Sequence, residues 1–254
     1  VVNYACHPIT LGWQNRLASP DYVGVLRQVV EQHTGGAPCL FLLGASGELA
    51  PRRQYTGDLA IAMSNGRQLG HATLSALHSM LKPKHQLAYA GIVESGASLG
   101  VWEQRGYSPA TDLTAVQFDV DLPLKPALSE QEMRSKLEHC EDLTEAERIR
   151  RELMIRRFVG YGKSFAMPAW IWKLGRGVLV AQPNEAYCDF QTVLRSQFPD
   201  FALMVMNVAN GWCGYLTPPD LHDLDLYPVW QSPFDRPALP RLIETCTQQL
   251  QRLL

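Results

Sequence analysis

Three segments, far apart in the chain, each run out of an apolar stretch onto a side chain that can donate to a metal ion. In Asn3-Tyr4-Ala5-Cys6-His7-Pro8 the donor is the imidazole of His7. In Val178-Leu179-Val180-Ala181-Gln182-Pro183-Asn184-Glu185 it is the carboxylate of Glu185, and in Asn210-Gly211-Trp212-Cys213-Gly214-Tyr215-Leu216-Thr217 the phenol of Tyr215. Each lies just past a strand-like run, the place where open α/β sheets bind ligands. A His nitrogen and a carboxylate oxygen are ordinary zinc ligands, and a catalytic zinc takes about three protein ligands plus an open position. Each residue also has a plainer role. His7 reads equally as a hydrogen-bonded core histidine, Glu185 as an acid favoured at a helix start, and Tyr215 as a packing aromatic.

The ordered set resembles the neutral/alkaline ceramidase family, zinc amidases that cleave the N-acyl bond of ceramide. The resemblance is carried by His7-Pro8-Ile9-Thr10-Leu11-Gly12, Asn15, Ser19-Pro20-Asp21, Gly47-Glu48-Leu49-Ala50-Pro51-Arg52, Pro183-Asn184-Glu185 and Gly214-Tyr215-Leu216-Thr217, with Tyr227 following. It implies a ceramidase-like catalytic fold, a zinc cofactor held by His7, Glu185 and Tyr215, and a phenol at Tyr227 that donates to a developing oxyanion. The implied substrate is a small or lipid-like molecule with an amide or related acyl linkage. Members of the family are often secreted or act at membranes.

Two departures bear on that expectation. Ala50 stands where the family has a serine implicated in its chemistry, and Arg52 replaces an asparagine, so Arg52 is expected to contact a different substrate. Ala50 supports the alternative of a catalytically silent binding or scaffold protein. A metal-activated water needs no serine, because the metal lowers its pKa to about 7. The family's upstream His-rich motif is absent, the seven histidines being scattered. Residues 1–254 are therefore expected to form one α/β portion of a larger catalytic domain, with a missing N-terminal segment completing the site.

Composition excludes other classes. A net charge of −2 gives no electrostatic case for nucleic acid, and no apolar run approaches the roughly 20 residues of a membrane span. The six cysteines form no CxxC pair, and read as buried thiols. Ser46, in Gly44-Ala45-Ser46-Gly47, only faintly suggests a nucleophile elbow, since Glu48 stands where the second glycine belongs.

The elements that must position these residues alternate. Strands are expected at 1–6, 39–43, 116–122 and 201–208, with extended structure over 86–101 and a loop over 103–115. Helices are expected at 22–32, 58–81 and 240–254, a single charged helix at 129–158, and another over 185–197 opening on Glu185. A hairpin joins 165–172 to 177–182 through Leu174-Gly175-Arg176. Strands interleaved with helices predict an α/β fold with a mixed β-sheet core flanked by helices. The arginines of the charged helix (Arg148, Arg150, Arg151, Arg156, Arg157) read as a solvated face or as a surface for an acidic group.

Overall fold

In a computed structural model describing residues 1–254, the period-2 patterns become a mixed four-stranded sheet. Its strands are β5 (Leu113–Pro123), β6 (Ser164–Leu174), β7 (Gly177–Ala181) and β9 (Ala202–Met206), in the order β5-β6-β7-β9. The first two pairings are antiparallel, and β7 runs parallel to β9. Met167, Ala169 and Ile171 alternate along β6 and are fully buried, as are Val178 and Val180 on β7. This face carries the main core. Helices α5 (Asp189–Gln197) and α7 (Ala238–Leu253) cover it with Phe190, Leu194, Leu242, Cys246 and Leu250. The α7 residues recur every four positions, so one helical stripe meets the sheet.

A second layer holds the amino-terminal segment. Strand β1 (Val2–Tyr4) pairs in parallel with β2 (Phe41–Leu43). Helices α1 (Asp21–His33) and α2 (Leu59–Ser79) pack beside them. Gly66 and Gly70 of α2 face α1, where an added Cβ would meet the backbone of Tyr22 and the side chains of Val25 and Val29. This pair of glycines is what lets the two helices approach.

The Asn3 side chain stitches the layers together. Its amide donates to Leu42 O (3.0 Å) and to Val205 O on β9 (2.8 Å), so β1 is tied to the main sheet. A hairpin of β3 (His85–Glu94) and β4 (Ser98–Gly106) stands apart, with Leu87, Tyr89, Ile92 and Trp102 exposed. No helix is long and apolar enough to cross a membrane.

The α/β architecture follows the sequence expectation, and four local features differ. Glu185 opens no helix: Glu185–Ala186 is a short strand, β8, paired in parallel with β10 (Tyr215–Leu216), and the helix starts only at Asp189. A distant segment supplies the partner, so local propensity loses. The expected loop at 103–115 is mostly strand, because β4 zips onto β3 and β5 pairs with β6 from Leu113 to Pro123. The charged stretch is two helices, α3 (Glu130–Glu138) and α4 (Leu143–Val159). Asp142 caps α4 by accepting from the Thr144 and Glu145 backbone N–H groups, and the Asp142-x-x-Glu145 pattern signals that start. Finally, the carboxy-terminal helix begins at Ala238, two residues before Pro240.

Candidate functional site

The three expected donors meet at the carboxyl ends of parallel strands: His7 follows β1, Glu185 follows β7, and Tyr215 opens β10 behind β9. His7 Nε2 lies 2.6 Å from Glu185 Oε2, and His7 Nδ1 lies 3.1 Å from the Leu49 carbonyl. The Leu49 carbonyl and an ionised Glu185 are both acceptors, so the contacts favour a proton on each ring nitrogen. Burial by itself would lower the His7 pKa. The Glu185 carboxylate and the backbone carbonyls of Leu49 and Ser46 outweigh it, and the net shift is upward. Burial likewise opposes the Glu185 charge, but His7, Tyr215 and Trp212 together hold its pKa below the ordinary carboxylate range. Trp212 Nε1 donates to Glu185 Oε1 at 2.6 Å. The Tyr215 ring stacks on His7 with centroids 6.3 Å apart. Burial and Glu185 push the Tyr215 pKa strongly up, so its phenol keeps its proton.

A buried amide network fixes the turn that presents Glu185. Gln182 Oε1 accepts from the Asn184 backbone N–H (2.6 Å). Gln182 Nε2 donates to Asn207 Oδ1 (2.7 Å), and Asn207 Nδ2 to Ala186 O (2.9 Å). The Gln182 and Asn207 side chains are both buried and bonded to one another and to backbone, which favours a single conformation. Gly47 lies against this turn: a Cβ there would meet Glu185 O and the Tyr187 ring. Gly214, at φ +89°, adopts a backbone that suits glycine and accepts from the Glu185 N–H (2.9 Å).

Glu185, Arg150, Arg151, Trp212, Tyr227 and Gln231 line one cavity of about 520 Å³. Tyr227 opens the short helix α6 (Tyr227–Gln231), its ring edge-on to Tyr215 at 5.8 Å. Its hydroxyl accepts from Arg151 Nη1 at 2.6 Å, leaving its own proton free to donate. His7, Glu185, Tyr215 and Tyr227 are thus brought together. Arg52 is not among them: it is exposed, lies outside the cavity lining, and its side chain makes no hydrogen bond or ion pair. Ala50 directly follows Leu49, whose carbonyl accepts from both the His7 backbone and the His7 ring. Trp212, Arg151 and the Leu49 carbonyl were not assigned roles from sequence. The first lies inside a quoted segment, and the second is one arginine among five on a charged helix.

The donors can be tested for fit to a metal. No group of three or more His, Cys, Asp or Glu side chains gathers to hold one, so a centre here would rest on His7, Glu185 and the Tyr215 phenol. The His nitrogen and the carboxylate oxygen are donors zinc accepts at catalytic sites, the Tyr215 phenol being a less usual third, and the Nδ1 contact to Leu49 O is the outer bond that orients a metal-binding imidazole. Burial pushes Cys6 up and Cys213 up to about 11, so without a metal the neighbouring thiols stay protonated. Ser46 is fully buried, its Oγ has no partner, and no imidazole bonds to it. It therefore lacks the base a serine nucleophile needs.

No protein-family model matches the chain, and no curated protein matches it in sequence. Solved structures do. A neutral ceramidase from Pseudomonas aeruginosa aligns with 98% of this chain at a TM-score of 0.61 and 13% identity. A ceramidase complexed with C2 aligns with 99% at a TM-score of 0.63 and 11% identity. This chain spans 44% and 45% of those two chains. At such identities the likeness shows the fold, which is ceramidase-like.

Proposed function

We propose that the protein is a zinc-dependent hydrolase of an amide or related acyl linkage, with His7, Glu185 and Tyr215 holding the metal. The observation that supports this most is the approach of His7 Nε2 to Glu185 Oε2, 2.6 Å, from positions 178 residues apart, beside a cavity that Tyr227 also lines. When bound, zinc would supply Lewis-acid polarisation of the acyl carbonyl and a water of lowered pKa. The chain's own residues do the positioning. Trp212 holds one Glu185 oxygen and turns the other toward His7. Leu49 O keeps the Nδ1 proton, so Nε2 is the nitrogen free to ligate once its proton leaves. Tyr227, with its oxygen held by Arg151, directs its O–H at the carbonyl oxygen as charge develops there. Overall, water adds across the acyl C–N bond, giving a carboxylic acid and an amine. As the sequence resemblance implies, a histidine upstream of Val1 would complete the ligand set, and residues 1–254 would be one portion of the catalytic domain.

Ala50 favours a second reading, a binding protein that keeps the fold without the chemistry. Metal analysis and a panel of acyl amides separate the two. The hydrolase reading expects about one zinc per chain, lost in Glu185→Ala, and turnover abolished by chelation. A fully metallated protein that cleaves no amide leaves the binding reading, and a wild type without zinc defeats the metal assignment.

A further inference from the structure

Beside the Glu185 cavity lies a second, more enclosed one of about 220 Å³, between α4, α6 and the segment Lys125-Pro126. Four of its lining side chains are cations, Lys125, Arg148, Arg151 and Arg156, against the single carboxylate of Glu152. Arg156 is 2% exposed. Its Nη2 donates to Lys125 O (2.9 Å) and its Nη1 to Gly160 O (3.4 Å), while its Nε has no hydrogen-bond partner. Glu152 approaches that Nε only to 3.5 Å and is itself 44% exposed.

Lys125 Nζ donates to Val229 O (2.6 Å) and Ser232 O (3.1 Å), which leaves one ammonium proton unspent. Burial pushes the Lys125 pKa down, with Asp235 and Glu152 opposing it, as expected of a cation short of counter-charge. Arg148 stacks on Trp230 at 4.7 Å, and its only ion pair is a 3.8 Å contact with exposed Asp225. A buried guanidinium beside a half-buried ammonium is costly unless an anion joins them.

We propose that this cavity is a binding site for a tetrahedral oxyanion, a phosphate or a sulfate group. Its volume, about 220 Å³, is that of about seven waters at ~30 Å³ each, enough for a compact oxyanion with some of its hydration. Several cationic side chains lining one small space, among them the unpartnered Arg156 Nε and the spare Lys125 proton, are the donor type that recognises such groups. Arg151 and Gln231 line this cavity and the Glu185 cavity alike. A ligand spanning the two would place its anionic group here and its acyl linkage at Glu185. The substrate class is then an N-acyl compound bearing a phosphate or sulfate, and this last step alone rests on the proposed hydrolase function.

The test is titration of the full-length protein with inorganic phosphate by calorimetry. Arg148→Gln and Lys125→Met are compared with a control, Arg134→Gln, at an exposed arginine of α3 that pairs only with Glu130. Phosphate is expected to bind wild type and control alike, and each cavity variant, once its far-UV spectrum matches wild type, about tenfold more weakly or worse. Wild type that binds no phosphate at millimolar concentration, or folded cavity variants that bind it as wild type does, overturns the site. The source of the anion is read from a pair of otherwise identical acyl amides, one phosphorylated. A lower KM for the phosphorylated amide, with inorganic phosphate competing against it, supports a substrate-borne group. Equal KM values overturn that step and leave a site for the free anion. Failure to cleave either amide counts against the hydrolase reading while phosphate binding still stands.

Discussion

Glu185 is held at both oxygens, and the indole that holds one of them is the residue most open to a clean test. Trp212→Phe removes the 2.6 Å N–H bond and keeps most of the ring's packing. Outer-shell losses of this kind cost about 10–100-fold in metal affinity. Zinc competition with a chromogenic chelator should show a drop in that range, and an unchanged affinity would detach Trp212 from the metal site. His222 allows a pH test away from the donors. Its Nε2 lies 3.1 Å from Thr217 Oγ1, and burial, with Lys125 and Arg236 adding to it, lowers its pKa. The unfolded chain then binds the proton more readily. Stability is unaffected above the ordinary histidine value of about 6.5, falls as pH drops through it, and levels off below the folded pKa. Urea midpoints of His222→Gln should lose less than those of wild type on acidification over that window. Parallel curves would show that His222 is not the titrating group.

At the scale of elements, the sheet and its two covering helices carry the packing, and the β3–β4 hairpin contributes little. Its strands pair with one another, their Leu87, Tyr89, Ile92 and Trp102 remain exposed, and the chain closes at its base where Tyr107 N donates to Lys84 O at 2.8 Å. An isolated two-stranded hairpin adds little stability of its own. Deleting residues 85–106 and joining Lys84 to Tyr107 should therefore leave the urea midpoint nearly unchanged, with loss of Trp102 fluorescence. A large fall would mean that the hairpin packs on the body in solution. The strand periods, the β6–β7 hairpin and the amphipathic carboxy-terminal helix were legible because burial alternates at period 2 or recurs every three to four residues. The helix break at His139–Asp142 was legible only through the Asp142 cap, which charge patterning hides.

Across the whole molecule, the main core beneath the sheet is far larger than the cluster of Leu26, Val30 and Cys39 that supports the α1–α2 layer. Hydrogen exchange should find that layer opening at lower free energy than β6 and β7. Because His7 belongs to the weaker layer and Glu185 to the stronger, a metal bridging them should raise protection in α1 and β1 most. Uniform protection, with or without zinc, would contradict this division. The sequence by itself determined the donor types and their places at strand ends, since the chemistry of His7, Glu185, Tyr215 and Tyr227 and the run of apolar residues before the first three are local properties. Only the tertiary structure decided which of them meet, that Glu185 lies on a strand instead of opening a helix, that Arg52 stays outside the cavity, and that Lys125 comes to lie against the buried Arg156. Those facts depend on pairings between distant segments, such as β8 with β10 and Asn3 with Val205, whose energy no single stretch of chain contains.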